Sequence, residues 1–457
     1  MEEGADMIEI INSVSNELEP LQTLEKGKVT IYLCGPTVYN YIHVGNARNV
    51  VFFDTVARFL SFSGYEVNFA SNITDVDDKI IERARAEGKS EKELTTFYAN
   101  AFLTDAEMLG VSDKITRLYA TDHIGAMITL IEDLISRDAA YVVDGTVFFA
   151  IDKMPQYGVL SHQSIEHLLV GARIEQNEAK RSPLDFVLWK STHEGINWDS
   201  PWGRGRPGWH TECIALIRQH FGGPIDIHGG GMDLKFPHHE NEIAQAKALG
   251  WPQLATYWLH NGFVELDDEK MAKSLGNFVL LKDALEKYGP AALRYWLLSV
   301  QYRQPLMFSE AILLEAKHIT TKMRQTYEQA YTQLKLHKYV VNGTISSERV
   351  IEQQEQFLRA LRTDFNTANA ITVLHEVIKQ VNIHTRQGEK SFSVLVQYLS
   401  LLARMDELLV LQIVNEPMIT DEDIALYEAW GVAKKEKDFN TADALRATLA
   451  DKGIAVR

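Results

Sequence analysis

Residues 29–34 form an apolar-rich run that ends at Cys34 and is followed by Gly35 and Pro36, the pattern of a buried strand opening into a loop. Across residues 46–62, apolar side chains recur at Val50, Phe53, Val56, Ala57 and Leu60. This is helical spacing, and Gly64 closes the segment as a C-cap. A second strand over residues 66–73 follows at once. Residues 28–73 therefore predict a βαβ unit whose loop lies at the carboxyl end of its first strand, where open α/β sheets bind their ligands.

Ser90 with Glu93 is a capping-box pattern that opens a helix towards Leu109, and a second amphipathic helix is predicted over residues 123–137. Residues 141–151 alternate about Asp144-Gly145, a hairpin signal, so a β-containing insertion is expected to interrupt the α/β pattern until about Pro201. Residues 225–228 read as a strand running into a turn at Gly229, Gly230 and Gly231, with a helix starting near Pro237 and Cys213 just before that strand. Beyond Ser309 the periodicity is helical only, over residues 311–336, 352–361, 368–385 and 392–411. The string Asp-Phe-Asn-Thr-Ala occurs at 364–368 and again at 438–442, and reads as two similar helix entries.

A chain of 457 residues calls for several packed units rather than one core. No apolar run approaches the roughly 20 residues of a membrane span, and the acidic start MEEGADMIEI lacks the features of an export signal. A cytoplasmic protein with no membrane contact is the expectation. The formal charge of −16 excludes nucleic-acid binding by bulk electrostatics, so any RNA contact needs a local basic patch. The two cysteines, Cys34 and Cys213, are too few for a disulfide framework and leave a metal or catalytic role to be weighed.

His238 and Glu242 stand four apart and share one face of the helix expected from Pro237, whereas His239 and Glu240 point to other faces. With Cys34 and Cys213 they make a Cys, Cys, His, Glu set that suits tetrahedral zinc. Two buried cysteines and a histidine cap fit the spacing equally well. His43-Val44-Gly45-Asn46 begins the first helix, where backbone N–H groups favour phosphate and Gly45 leaves room for a flat base. Lys270 and Lys273 stand three apart on a loop ending in Gly276 and Asn277. Such lysines can stabilise the charge of departing pyrophosphate, though alone they also describe a solvated turn.

Six strings in order resemble the cysteinyl-tRNA synthetase family: Cys34-Gly-Pro-Thr-Val-Tyr-Asn-Tyr-Ile-His43, Asn72-Ile-Thr74-Asp-Val-Asp-Asp-Lys79, Gly205-Arg-Pro-Gly-Trp209-His-Thr-Glu-Cys213, Asp226-Ile-His228-Gly-Gly-Gly-Met-Asp233, His238-His-Glu-Asn-Glu242 and Lys270-Met-Ala-Lys-Ser-Leu-Gly-Asn277. The resemblance implies an α/β Rossmann-type catalytic domain with an inserted connective domain, followed by an all-α helical bundle and a small C-terminal anticodon-binding domain. The expected divisions are catalytic halves at 1–115 and 203–260, the insertion at 116–202, a stem-contact region carrying the lysine loop at 261–310, the bundle at 311–410 and the anticodon-binding part at 411–457. The chain ends short of the usual family end, and the six residues before Met7 read as an extension.

By the same resemblance, Cys34, Cys213, His238 and Glu242 hold one zinc ion to which the thiolate of L-cysteine binds. Gly35, Thr37, Thr74, Trp209 and His228 line the amino-acid pocket. His43, Gly45, Asn46, Gly230, Asp233, Lys270 and Lys273 surround ATP with its magnesium, and His43, Asn46, Lys270 and Lys273 serve the chemistry. The implied enzyme is a monomer that makes cysteinyl-adenylate and passes it to tRNA(Cys). Two strings depart from the family: HIGH reads His-Val-Gly-Asn, and KMSKS reads Lys-Met-Ala-Lys-Ser, which keeps both lysines. The rivals are a ligase joining cysteine to an amino sugar, which lacks an anticodon part, and a non-catalytic RNA-binding relative.

Overall fold

The computed structural model describes residues 7–154, 156–162, 180–266, 269–271, 276 and 278–455. The chain divides into two compact units, residues 1–287 with 302–308, and residues 288–301 with 309–457.

The first unit is organised on a parallel sheet of β1 (Lys28–Leu33), β2 (Glu66–Ile73), β3 (Thr116–Tyr119), β4 (Ile225–Gly231) and β5 (Ala255–Asn261), in the order β5-β4-β1-β2-β3. The chain winds outward in one direction from β1 through β2 to β3 and in the other from β4 to β5. The crevice at the carboxyl ends of β1 and β4 is therefore the switch point at which such sheets bind ligands. In β1, Val29, Ile31, Tyr32 and Leu33 are all buried, and burial of the successive residues 31–33 is the mark of a strand covered on both faces. The expected first helix is α1 (Val44–Phe62), which buries Val50, Phe53, Val56 and Leu60.

Between β3 and β4 lies the expected β-containing insertion, an antiparallel meander of 140–143, 146–149, 186–191 and 205–207. Its first turn is the Asp144-Gly145 pair, with φ of 47° and 80°, the left-handed conformation that a two-residue hairpin requires. Residues 163–179 of the expected insertion lie outside the described residues.

Cys213, expected before the strand at 225–228, lies in helix α2 (Trp209–Phe221), which leads into β4. Two sequence expectations around the second half of the sheet are corrected. The three glycines after His228 do not turn; they continue β4 to Gly231, paired with Leu259, His260 and Asn261 of β5. Glycine is needed there for clearance, since a Cβ on Gly229 would lie 1.9 Å from the ring of Phe53. Finally, residues 235–239 form a wide turn, and regular helix begins only with α3 (Glu240–Ala248).

The second unit is helical apart from its connections. Helices Glu310–Leu336, Glu348–Arg362, Thr367–Gln387 and Phe392–Leu409 bury their apolar faces on one another, and a C-terminal hairpin follows from Asp421–Glu436 and Phe439–Asp451. The two Asp-Phe-Asn-Thr-Ala strings are not equivalent caps. In the first, Asn366 accepts from Asn369 N, and in the second Asp438 accepts from Thr441 N, two residues out of register with each other. No helix among the described residues is long and apolar enough to cross a membrane.

Asp423 ties the C-terminal hairpin together. It accepts from Thr420 N at 2.9 Å and Thr420 Oγ1 at 2.7 Å, and from Nζ of Lys452, the C-cap of the other helix, at 2.8 Å. The Lys452 contact and the Thr420 donors hold its carboxyl at about 2, below the ordinary 3.8. A depressed carboxyl stabilises the fold fully above its unfolded value and loses that contribution as pH falls through the folded one. Asp423→Ala is expected to lower hairpin stability by about 1 kcal/mol near neutrality. In urea melts the difference from wild type should shrink as pH falls from 4 towards 2 and be gone below it, and a difference that does not shrink between pH 5 and 2 would contradict this origin.

Candidate active site

The crevice at the switch point opens into a cleft of about 730 Å³. Cys34 enters it because its N–H is held by Gly229 O at 3.1 Å, which fixes the exit of β1 to β4. Gly35 N then donates to Asn72 Oδ1 at 2.7 Å, and a Cβ on Gly35 would strike Asn72 O, so the chain passes close to β2. Cys213 arrives from the first turns of α2, His238 from the wide turn, and Glu242 from the start of α3.

Their donor atoms converge. Cys34 Sγ lies 3.6 Å from Cys213 Sγ and 3.9 Å from Glu242 Oε1; His238 Nε2 lies 3.6 Å from Cys213 Sγ and 2.8 Å from Glu242 Oε1. All four atoms fall within 4.8 Å of one another. Tetrahedral zinc at its usual bond lengths of ~2.0–2.3 Å needs ligand atoms roughly 3.3–3.8 Å apart, so the set fits with only small adjustments. Burial pushes the Cys34 thiol up to about 11 and the Cys213 thiol well above its ordinary value. A divalent cation among them is the charge that would make them thiolates.

A second group, Cys34, His228, His239 and Glu242, also has its donor atoms within 4.8 Å. His228 and His239 are fully buried and do not line the cleft, whereas Cys34, Cys213 and His238 do. An ion that a substrate must reach therefore belongs to the first set. The second set supports it from behind: His228 Nε2 meets Glu242 Oε2 at 2.7 Å, and His239 bridges Cys34 Sγ at 3.3 Å to His260 at 2.8 Å. Burial keeps His239 and His260 neutral, with His260 lowered to about 3.

Sequence reading placed His239 on another face of a regular helix. The wide turn at 235–239 replaces that geometry and brings the ring back to Cys34. It also passed over His210, whose Nδ1 lies 3.0 Å from His238 Nδ1, and which burial lowers to about 3. An imidazole ligand held through its other nitrogen has its tautomer and direction set. His210→Ala is accordingly expected to weaken zinc affinity roughly 10–100-fold, read by chelator competition. Unchanged affinity would show that His210 does not orient the ligand.

Of the residues expected around the amino acid, Gly35, Thr37 and Trp209 line the cleft; Trp209 is 44% exposed and stacks on His238 at 4.3 Å. Thr74 and His228 lie one layer behind the lining. Thr74 Oγ1 is held by both oxygens of the buried Glu212, at 2.8 and 2.9 Å, and Asn72 Nδ2 donates to the same carboxylate at 2.7 Å. Glu212 and Asn72 were not among the site residues expected from the sequence.

Among the residues expected around ATP, His43, Gly45, Asn46 and Asp233 line the same cleft, and Gly230 lies beneath it, where a Cβ would meet His239 at 2.8 Å. His43 caps α1: Nδ1 accepts from Gly45 N at 3.1 Å while Asn46 Oδ1 accepts from His43 N at 3.2 Å. The cap occupies the oxygen of Asn46, which leaves its NH₂ as the group that can meet a phosphate. Lys79, from the second string, also lines the cleft. The backbone of Lys270 pairs with Glu265, and Lys273 lies outside the described residues.

Residues 20–318 match the model of the tRNA synthetases class I (C) catalytic domain, and residues 356–413 match the DALR domain. The chain is 43% identical over 452 residues to the cysteine--tRNA ligase of Anoxybacillus flavithermus, covering 98% of this chain and 97% of that protein. It belongs to the class I cysteine--tRNA ligase family. The cysteine--tRNA ligase of Geobacillus thermodenitrificans is 44% identical over 449 residues, covering 98% of this chain and 96% of its own length. Among solved structures, the methionyl-tRNA synthetase of Mycobacterium tuberculosis in complex with methionyl-adenylate superposes with a TM-score of 0.60 at 16% identity, over 91% of this chain and 96% of that one. Family membership agrees with the Rossmann-type sheet and the helical second unit described above.

Proposed function

We propose that this chain is a ligase that activates L-cysteine with ATP and transfers the cysteinyl group to tRNA(Cys), with one zinc ion reading the substrate thiol and magnesium accompanying ATP. The observation that carries the reading is the convergence of Cys34, Cys213, His238 and Glu242, the first three lining the cleft that His43, Gly45 and Asn46 also line. Zinc in that set would supply a soft Lewis acid that prefers a thiolate to a serine hydroxyl. Cys34, Cys213, His238 and Glu242 would hold it, with Trp209 over His238 at its exposed side. Buried polar discrimination can reach about 10⁴–10⁵, enough to dispense with editing.

In the first step a carboxylate oxygen of cysteine attacks the α-phosphorus of ATP in line. The bond to the bridging oxygen breaks, and pyrophosphate leaves with that electron pair. The amide of Asn46 and the N-terminus of α1 would meet the phosphates, and Lys270 and Lys273 would neutralise the leaving charge. In the second step a terminal ribose hydroxyl of the tRNA attacks the adenylate carbonyl and AMP departs. Thr74 and Glu212 act behind the pocket wall, where they fix Asn72 and through it Gly35 N. The DALR match over residues 356–413 supports tRNA over an amino-sugar acceptor. A cytoplasmic monomer completes the reading.

Cysteine-dependent exchange of pyrophosphate into ATP is the test, with serine as the control. Exchange with cysteine at least roughly a thousandfold above serine is expected from the metal's preference. A zinc-loaded chain with no cysteine-dependent exchange would overturn the activation reading and favour a non-catalytic relative.

A further inference from the structure

Asn261, the last residue of β5, lines the cleft yet is only 2% exposed, and among the described residues neither its Oδ1 nor its Nδ2 has a hydrogen-bond partner. It pairs in register with Gly231 at the end of β4. Over that glycine lies a second carboxamide: Asn49, one turn into α1, places Nδ2 3.4 Å from where a Gly231 Cβ would stand, and its buried Oδ1 is also unpartnered. Asp233 Oδ1 would lie 2.5 Å from the same Cβ. Gly231 thus keeps open a polar recess at the carboxyl ends of β4 and β5, walled by two amides and lined by side chains of the cleft.

A buried amide without a partner is costly, because each orphaned group forfeits its hydration without compensation. A ligand that fills the recess in place of water is best matched if it offers both a donor and an acceptor. A phosphate offers acceptors alone and would leave the Asn261 and Asn49 oxygens unsatisfied. Adenine carries its N6 amino donor beside a ring-nitrogen acceptor, the edge that an asparagine side chain matches with two hydrogen bonds. Guanine reverses that edge, an O6 acceptor beside an N1–H donor, and would need the amide turned over.

We infer that Asn261 is the residue that reads the adenine base of ATP, accepting from N6–H through Oδ1 and donating through Nδ2 to the adjacent ring nitrogen. This rests on the proposed use of ATP to activate cysteine. Asn261 is a specificity-determining residue: it touches the base, not the reacting phosphorus, so its loss raises KM for ATP and leaves kcat little changed.

The experiment is cysteine-dependent pyrophosphate exchange by zinc-loaded full-length wild type and Asn261→Ala, with ATP, purine riboside triphosphate (which lacks the N6 amine), GTP and 2′-deoxy-ATP. Wild type is expected to favour ATP over purine riboside triphosphate by roughly tenfold to a hundredfold in kcat/KM, the worth of one paired amide. In Asn261→Ala that ratio should fall to near one. Asn261→Asp, which keeps the acceptor and loses the donor, should show intermediate preference. Because the Asn261 side chain makes no hydrogen bond to the rest of the described protein, the variants are expected to keep their fold, checked by circular dichroism and zinc content. An undiminished ATP preference in the alanine variant would overturn the inference. So would a preference lost against 2′-deoxy-ATP instead, which would assign the amide to the ribose. Wild type inactive with ATP itself would instead refute the activation reading on which the inference stands.

Discussion

Cys213→Ser is expected to lose stoichiometric zinc and to lower cysteine-dependent pyrophosphate exchange by more than roughly a hundredfold, since even loss of a partner behind the ligands costs ~10–100-fold in affinity or activity. Cys213 Sγ stands 3.6 Å from both Cys34 Sγ and His238 Nε2, so it occupies one corner of the donor set that faces the cleft. The serine hydroxyl is shorter and harder, and at neutral pH it stays protonated where the metal calls for an anion. The fold should survive, because serine fits the volume and α2 is otherwise held by the apolar packing of Ile214, Leu216 and Ile217. Zinc content by mass spectrometry, exchange rate and far-ultraviolet circular dichroism decide the matter together. A folded variant that keeps both zinc and exchange would remove Cys213 from the metal site.

Gly229→Ala should be as damaging through packing alone. A Cβ there would lie 1.9 Å from Phe53 Cζ and within 2.6 Å of two further ring atoms. Phe53 is fully buried and packs edge-on against Phe52, so it has no free direction in which to yield. Overpacking usually costs ~1–3 kcal/mol, and an overlap with a buried ring against a sheet backbone is expected at about 3 kcal/mol or more. Because Gly229 O holds Cys34 N, the same strain should displace a metal ligand and reduce zinc occupancy. Shortening the ring in Gly229→Ala/Phe53→Leu should recover part of the loss. Urea midpoints of the two single variants and the double variant give the coupling, and strictly additive losses would refute a clash between these two positions.

Much of this architecture was legible in the order of residues. The βαβ pattern of 28–73, the hairpin at Asp144-Gly145 and the helical periodicity after Ser309 all depend on local spacing and turn chemistry, and all three are present. Cys34, Cys213, His238 and Glu242 were candidates on residue type and one i,i+4 relation, but two buried cysteines and a histidine cap fitted that spacing equally well, and the family resemblance was what implied them as ligands.

What escaped local reading is set by neighbours distant in sequence. Residues 229–231 look like a turn on glycine content, but β5 and Phe53 select glycine for clearance within a strand. The helix carrying Cys213 is weakly patterned because seven successive residues, 211–217, are buried; a helix covered on every side shows no stripe. His239 was set aside on the geometry of a regular helix that the wide turn at 235–239 does not obey. The roles of His210, Glu212 and Asn261 depend on which polar atoms the fold leaves facing one another, or facing none. The sequence by itself therefore determined the element types and the donor chemistry of the site. Only the tertiary structure decided which of those donors converge and which buried amides are left for a ligand, because convergence across β1, β4, β5, α2 and α3 is a property of packing and not of spacing along the chain.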